Sequence, residues 1–244
     1  MTVAPVQIWV VPPATATKLE RFEPTLTRTE RTWAARLRSP DAQANFVVTR
    51  AVLRRVLADA VGCLPSDLSI VASARGKPVL ANDDGWWFNV SHTTGLALIA
   101  LHPDVPVGID VELRQRVIDD EVQRRVCTQW ELAELTGHLA PARAERFLRL
   151  WVRKEAIAKA DGRGLALDFD RLDARRTGTV HVPDDGATAL HVRDLDVGPD
   201  HLAAVATVGN PAAIQLRRWS DGHGLGDRPP GLHAARPWRR EVAR

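Results

Sequence analysis

The chain has 244 residues, a formal net charge of +3, 45% hydrophobic residues and 26% charged residues; this is a soluble globular composition, long enough for one large core or two small ones. So mild a positive charge does not demand nucleic acid, no apolar run approaches the ~20 residues of a bilayer span, and the N-terminal "MTVAPVQIWVVPPA" lacks the basic start and long apolar stretch of a secretory signal. Cys63 and Cys127 stand apart without metal-ligand spacing, so a reduced, cytoplasmic setting with no membrane partner is expected.

In chain order, "VQIWVV" reads as a short strand closed by Pro12 and Pro13, and residues 24–38 as a polar helical stretch. Residues 41–62 form a strong helix: Phe46, Val47, Val52, Leu53, Val56, Leu57 and Val61 recur at helical spacing, and Gly62 is a stop. "LSIVAS" is a strand, "RGKP" and "NDDG" are turns, and "WWFNVS", "GLALIAL" and "VPVGIDVE" follow as strands of an apparent meander. Residues 117–139 mix helix and loop. A helix over 142–161 leads into the strands "TVHVP", "ALHVRDLDV" and "HLAAVATVG". Helix followed by meander thus occurs twice. The expected fold is α+β, with two similar halves, residues 1–112 and 113–219, each a helix on a small antiparallel sheet. Residues 220–244 are Gly/Pro-rich and basic and read as a mobile tail.

Three features carry chemistry. In "RFLRLWVRKEAIAKADGRGL" (146–165), Phe147, Leu148, Trp151, Val152 and Ala158 share one helical arc, yet Glu155 and Lys159 fall in its middle and Lys154 at its edge. Buried charges need partners. In "VPVGIDVE" the period of two puts Asp110 and Glu112 on one strand face, roughly 7 Å apart. With Glu155 they supply three hard oxygen ligands and no cysteine or histidine set, which suits Mg²⁺, or Mn²⁺, in a shell shared with phosphate. In "FNVSHTTG", Ser91 and His92 end a strand before a turn, where hydroxyl, imidazole and turn amides can hold a phosphate. Of the 33 basic residues only four are lysines, Lys18, Lys77, Lys154 and Lys159, and three of these fall in "RGKPVL" and "WVRKEAIAK". Lysine is a compact point charge where arginine is a planar fork.

Together, in order, "RGKPVL", "FNVSHTTGLALIAL", "VGIDVE" and "LWVRKEAIAKADGRGL" resemble the Sfp-type 4′-phosphopantetheinyl transferases; the last run holds the pattern W-x-x-K-E-A-x-x-K-x-x-G-x-G-L without a break. The resemblance implies transfer of the 4′-phosphopantetheine arm of coenzyme A to a serine of an acyl or peptidyl carrier protein, with release of 3′,5′-ADP. It implies two related halves in one chain, a monomeric pseudo-dimer, with coenzyme A in the cleft between them. Asp110, Glu112 and Glu155 match the metal-site acids, and Glu155 also the base for the carrier serine. Lys159 matches the lysine facing the pyrophosphate, Ser91 and His92 the phosphate-contacting pair, Lys77 a lysine near the adenine end, and Arg50 an arginine for the coenzyme's phosphates. Lys154 matches the motif without a defined role. Asn45 and Trp33 replace basic residues of the family's pattern, for which Arg31, Arg36 or Arg38 could substitute. Arg124 and Arg125, with Val122, Val126 and Trp130, are the expected docking patch for an acidic carrier; fatty acid, polyketide and nonribosomal peptide carriers all fit. Two rival readings stand beside it: a Mg²⁺-dependent phosphohydrolase using the same three acids, or a coenzyme A-binding protein without catalysis, which would need Lys77 and His92 but not the acids. No clustered basic and aromatic surface of the nucleic-acid-binding kind is present.

Overall fold

The computed structural model describes residues 4–13, 16–82, 85–183, 188–211 and 213–220, so the expected tail lies, beyond Ser220, outside the described residues. Two compact units are distinguished: Met1–Pro13 with Ile70–Trp219, and Ala14–Ser69 with Ser220–Arg244.

In the second unit, α1 (Arg28–Ala34) starts at a reciprocal cap between Thr27 and Glu30. The long α2 (Pro40–Val61) starts at Ser39 with Pro40 in its first turn and ends at Gly62, whose φ of 85° is the left-handed stop that only glycine accepts without strain. Glu30 of α1 receives Arg54 of α2 at 2.8 Å and Arg50 at 3.4 Å, and Arg54 also donates to the carbonyls of Pro65 and Leu68.

The first unit is mixed helix and antiparallel sheet. One sheet has the order β10 (Ile214–Arg218), β1 (Val6–Val11), β5 (Leu96–His102), β4 (Trp87–Thr93). The other has the order β6 (Val107–Leu113), β9 (His201–Val208), β8 (Ala189–Leu195), β7 (Gly178–His181). A hairpin of β2 (Ile70–Ala72) and β3 (Pro78–Leu80) stands apart. The expected α+β class holds, but the expected meander breaks after its second strand. β4 and β5 pair as a hairpin, whereas β6 leaves them and pairs with β9. The turn between β5 and β6 holds Pro103 and Pro106 and is tied by His102, whose Nδ1 accepts from the amides of Asp104 and Val105. The boundary expected at residue 112 falls inside β6, and β10 runs parallel to β1 at the opposite end of the chain.

Alternation along β6 places it between two layers. Val107, Ile109 and Val111 join Val6, Ile8, Leu98 and Ala100 in one core, so this face of the second sheet packs on the first. Gly108, Asp110 and Glu112 face the other way. On that side α5 (Ala140–Asp161) covers the second sheet, with Val152, Ala156, Ile157 and Ala160 against Leu190, Val192, Leu202, Ala204 and Ala206. The connecting α3 (Asp120–Val126) and α4 (Gln129–Thr136) lead into α5.

Candidate active site

The site begins with a glycine. A Cβ on Gly108 would lie 2.1 Å from the carbonyl oxygen of Ala156 and 2.3 Å from the amide of Ala160. The backbone of α5 therefore rests directly on β6, and the next residues on that strand face, Asp110 and Glu112, look toward the same helix. Glu155 and Lys159, one turn apart on α5, meet them. Val90, Ser91, His92, Asp110, Val111, Glu112, Trp151, Glu155 and Lys159 line one cleft of about 300 Å³.

Side chains of β4 complete it. Asn89 Oδ1 accepts the amide of Ile109 at 2.9 Å, and Ser91 Oγ accepts the amide of Val111 at 3.3 Å. These alternate residues join the edge strand of one sheet to that of the other, satisfying amides of β6 where no neighbouring strand lies. Ser91 then donates to Asp110 Oδ1 at 2.8 Å. Lys159 Nζ donates to the same oxygen at 2.6 Å and to the carbonyl of Ile109 at 3.3 Å. The other oxygen, Asp110 Oδ2, is buried with no partner among the described residues. Glu112 pairs through Oε1 with Arg116 and takes a long bond of 3.5 Å from Thr93 on Oε2. The Glu155 carboxylate makes no hydrogen bond or ion pair among the described residues. Burial pushes its carboxyl above the ordinary range; Lys159 and Arg116 oppose the rise and Asp110 adds to it.

No three acidic, histidine or cysteine groups among the described residues stand together closely enough to hold a metal. The donor set nonetheless fits a hard divalent cation. An orphaned carboxylate oxygen and a half-buried carboxylate with a raised pKa both lack a positive neighbour on one side, a deficit that such an ion would fill.

Residues 106–206 match the 4′-phosphopantetheinyl transferase superfamily, a span that runs from the start of β6 into β9 and takes in all of α5. Similarity to proteins named 4′-phosphopantetheinyl transferase extends beyond that span to most of the chain. The chain is 29% identical over 209 residues to the 4′-phosphopantetheinyl transferase HetI of Nostoc sp., covering 84% of this chain and 88% of that one. A 4′-phosphopantetheinyl transferase of Bacillus pumilus is 26% identical over 81% of this chain and 85% of its own. The transferase Sfp of Bacillus subtilis is 28% identical over 57% of this chain and 63% of its own. These matches support transferase activity of the phosphopantetheinyl class.

The remaining expected site residues are not all in the cleft. His92 is exposed at its rim. Lys77 sits in the turn between β2 and β3 and donates to the carbonyls of Lys159, at 2.6 Å, and Val107, at 3.3 Å. It thus satisfies a carbonyl at the C-terminal end of α5, and burial followed by the charge of Lys159 lowers its pKa to about 8. Arg50 belongs to the other compact unit, where it pairs with Glu30 and lies 5.7 Å from the ring centroid of Phe46. Arg124, Arg125 and Trp130 are exposed, whereas Val122 and Val126 are half-buried and Val126 packs on the core.

Lys154 is placed by the fold away from the cleft. It is 0% exposed. Its ammonium pairs with Glu131 at 2.7 Å and donates to the carbonyls of Val126, Phe169 and Leu172 at 2.6–2.9 Å. Glu131 in turn accepts the amides of Thr128 and Ala174. Sequence reasoning missed Glu131, Asn89 and Arg116. The run "TQWE" did carry the signature of a capping box, which was the available signal for Glu131; nothing local signals its pairing with Lys154.

Proposed function

We propose that this chain moves the 4′-phosphopantetheine arm of coenzyme A onto a serine hydroxyl of an acyl or peptidyl carrier protein and releases 3′,5′-ADP. One arrangement supports the reading: Glu155 and Lys159 on α5 face Asp110 and Glu112 on β6 across the Gly108 contact, with Ser91 and His92 at the same opening.

In this reading the serine oxygen attacks the β-phosphorus of the coenzyme. The bond from that phosphorus to the departing ADP oxygen breaks, and the serine proton passes to Glu155. A carboxyl whose pKa is raised by burial is the better acceptor near neutral pH. Asp110 Oδ2 and Glu155, with Glu112 directly or through water, would hold Mg²⁺ or Mn²⁺, which when bound offsets the charge of the pyrophosphate. Lys159 contributes a fixed positive charge beside Asp110, where charge accumulates on the leaving group. Ser91 and His92 offer donors to phosphate oxygens, and Arg50 and Lys77 remain candidates for the nucleotide end. Exposed Arg124, Arg125 and Trp130 suit an acidic carrier. The division at residue 112, with the coenzyme between two halves of one cytoplasmic monomer, belongs to the same proposal; the cleft draws β4 from one half and α5 from the other.

The test is the intact mass of apo carrier proteins incubated with this protein, coenzyme A and Mg²⁺, with EDTA as control. Gain of one phosphopantetheine arm, abolished by EDTA, is the expected result. No gain on carriers of several pathways, from protein that binds coenzyme A, would reject arm transfer to such carriers.

A further inference from the structure

The carboxylates of the cleft are unevenly neutralised. Asp110 is 4% exposed, and one of its oxygens takes Lys159 while the other has no partner. Glu112 is held by Arg116, which comes from the turn just past the end of β6. The amide of Arg116 bonds the carbonyl of Leu113 at 2.8 Å, and this closes the chain back so that the guanidinium returns to the carboxylate four residues earlier. Arg116 differs from Lys159 in its setting. Its side chain is 46% exposed, against 26% for Lys159, and its guanidinium carbon lies 6.0 Å from the ring centroid of Trp151, which lines the cleft. The two oxygens of Glu112 are thus given to Arg116 and, more weakly, to Thr93.

We propose that Arg116 is an internal counter-cation that competes with the divalent ion for Glu112 and so sets how tightly the cleft takes that ion; this rests on the metal-site reading above. Asp110 Oδ2 and Glu155 are open to an ion as they stand. Glu112 is open only when Arg116 releases it. Release is inexpensive because a half-exposed ion pair is weak, and the guanidinium retains the face of Trp151 as an alternative seat. Arg116 thereby lets the empty cleft keep Glu112 neutralised, and once released it leaves a mobile positive charge at the mouth where a pyrophosphate would enter.

The experiment is Mn²⁺ binding to the full chain, with no coenzyme present, followed by the loss of free-ion electron paramagnetic resonance signal. Arg116→Gln is expected to bind Mn²⁺ roughly three- to tenfold more tightly than the wild type, the range spanned by a partly exposed ion pair. Arg114→Gln, from the same turn but paired with Glu145, removes the same charge and is the control expected to leave Mn²⁺ affinity near wild type. In a Glu112→Gln background Arg116→Gln should have no further effect, because the competition runs through that carboxylate. Unchanged or weaker binding in Arg116→Gln would overturn this proposal alone. So would tightening that persists in the Glu112→Gln background, since that would make Arg116 a distant field and not a competitor. Absence of Mn²⁺ binding in the wild type and every variant would overturn the metal-site reading and the proposal with it.

Discussion

Lys154 and Lys159 stand five residues apart on one helix, in one sequence motif, and do different work. Lys154 faces inward, is fully buried, and is enclosed by Glu131 and three backbone carbonyls. Lys159 faces the cleft, is a quarter exposed, and shares one oxygen of Asp110 with Ser91. A charge with every donor satisfied can only hold structure. A charge with a partly open side can also meet a ligand. The pair shows that position on the helix, more than residue type, decides whether a charged residue is enclosed in the fold or faces the cleft.

The largest effect that would break this comparison is on folding. Lys154→Ala leaves Glu131 buried without its partner and should cost about 3–5 kcal/mol of stability, whereas Lys159→Ala removes a partly exposed ammonium but leaves buried Asp110 with Ser91 alone, and should cost less, about 1–3 kcal/mol, while lowering turnover. Urea unfolding of both variants checks this, and equal stability losses would remove the contrast. Glu155→Gln should next lower turnover by roughly 10²-fold or more with folding retained. In the metal-free wild type, the Glu155 carboxyl should titrate above 4.5, the ordinary carboxyl value, because burial raises its pKa, and in metal-free Lys159→Met it should move further up, since Lys159 favours the ionised form; carboxyl-carbon NMR with Glu155→Gln as the assignment control checks both.

Gly108→Ala sharpens the geometry behind both lysines. The added methyl meets the helix backbone and should cost about 1–3 kcal/mol, with loss of turnover as α5 lifts from β6; a variant of unchanged stability would show that the helix moves freely there. Lys77 gives a pH test. Its pKa falls to about 8 in the folded chain from an ordinary 10.5, so the unfolded chain holds the proton over that window and the folded one does not. Stability from this group should therefore rise as pH rises from about 8 to 10.5, and Lys77→Met should flatten the rise in melting temperature. The smallest effect is expected at the surface. Arg124→Glu with Arg125→Glu should raise KM for the carrier several-fold on the scale of rim charges and leave KM for coenzyme A unchanged.

Much of this was legible locally. "VQIWVV" is β1 to the residue, the helix expected over 142–161 is α5 at Ala140–Asp161, and Gly62 stops α2 as expected. Asp110, Glu112, Glu155 and Lys159 could be picked out as a chemical group because alternation on a strand and periodicity on a helix each assign a face. What escaped was non-local. β10, with its run "IQLRR", owes its place to parallel pairing with β1 some two hundred residues earlier. The departure of β6 from the meander depends on β9 as partner, which its own alternation does not name.

The sequence by itself determined the long helices, most of the strands, the motif and which charged residues share a face, because these follow from the short periods of helix and strand. Tertiary structure alone decided that Gly108 admits α5 to β6, that Lys154 belongs to Glu131 and not to the cleft, and that Arg116 returns to Glu112. Each of those depends on how closely distant backbones approach and on which charge is left to satisfy another once water is excluded.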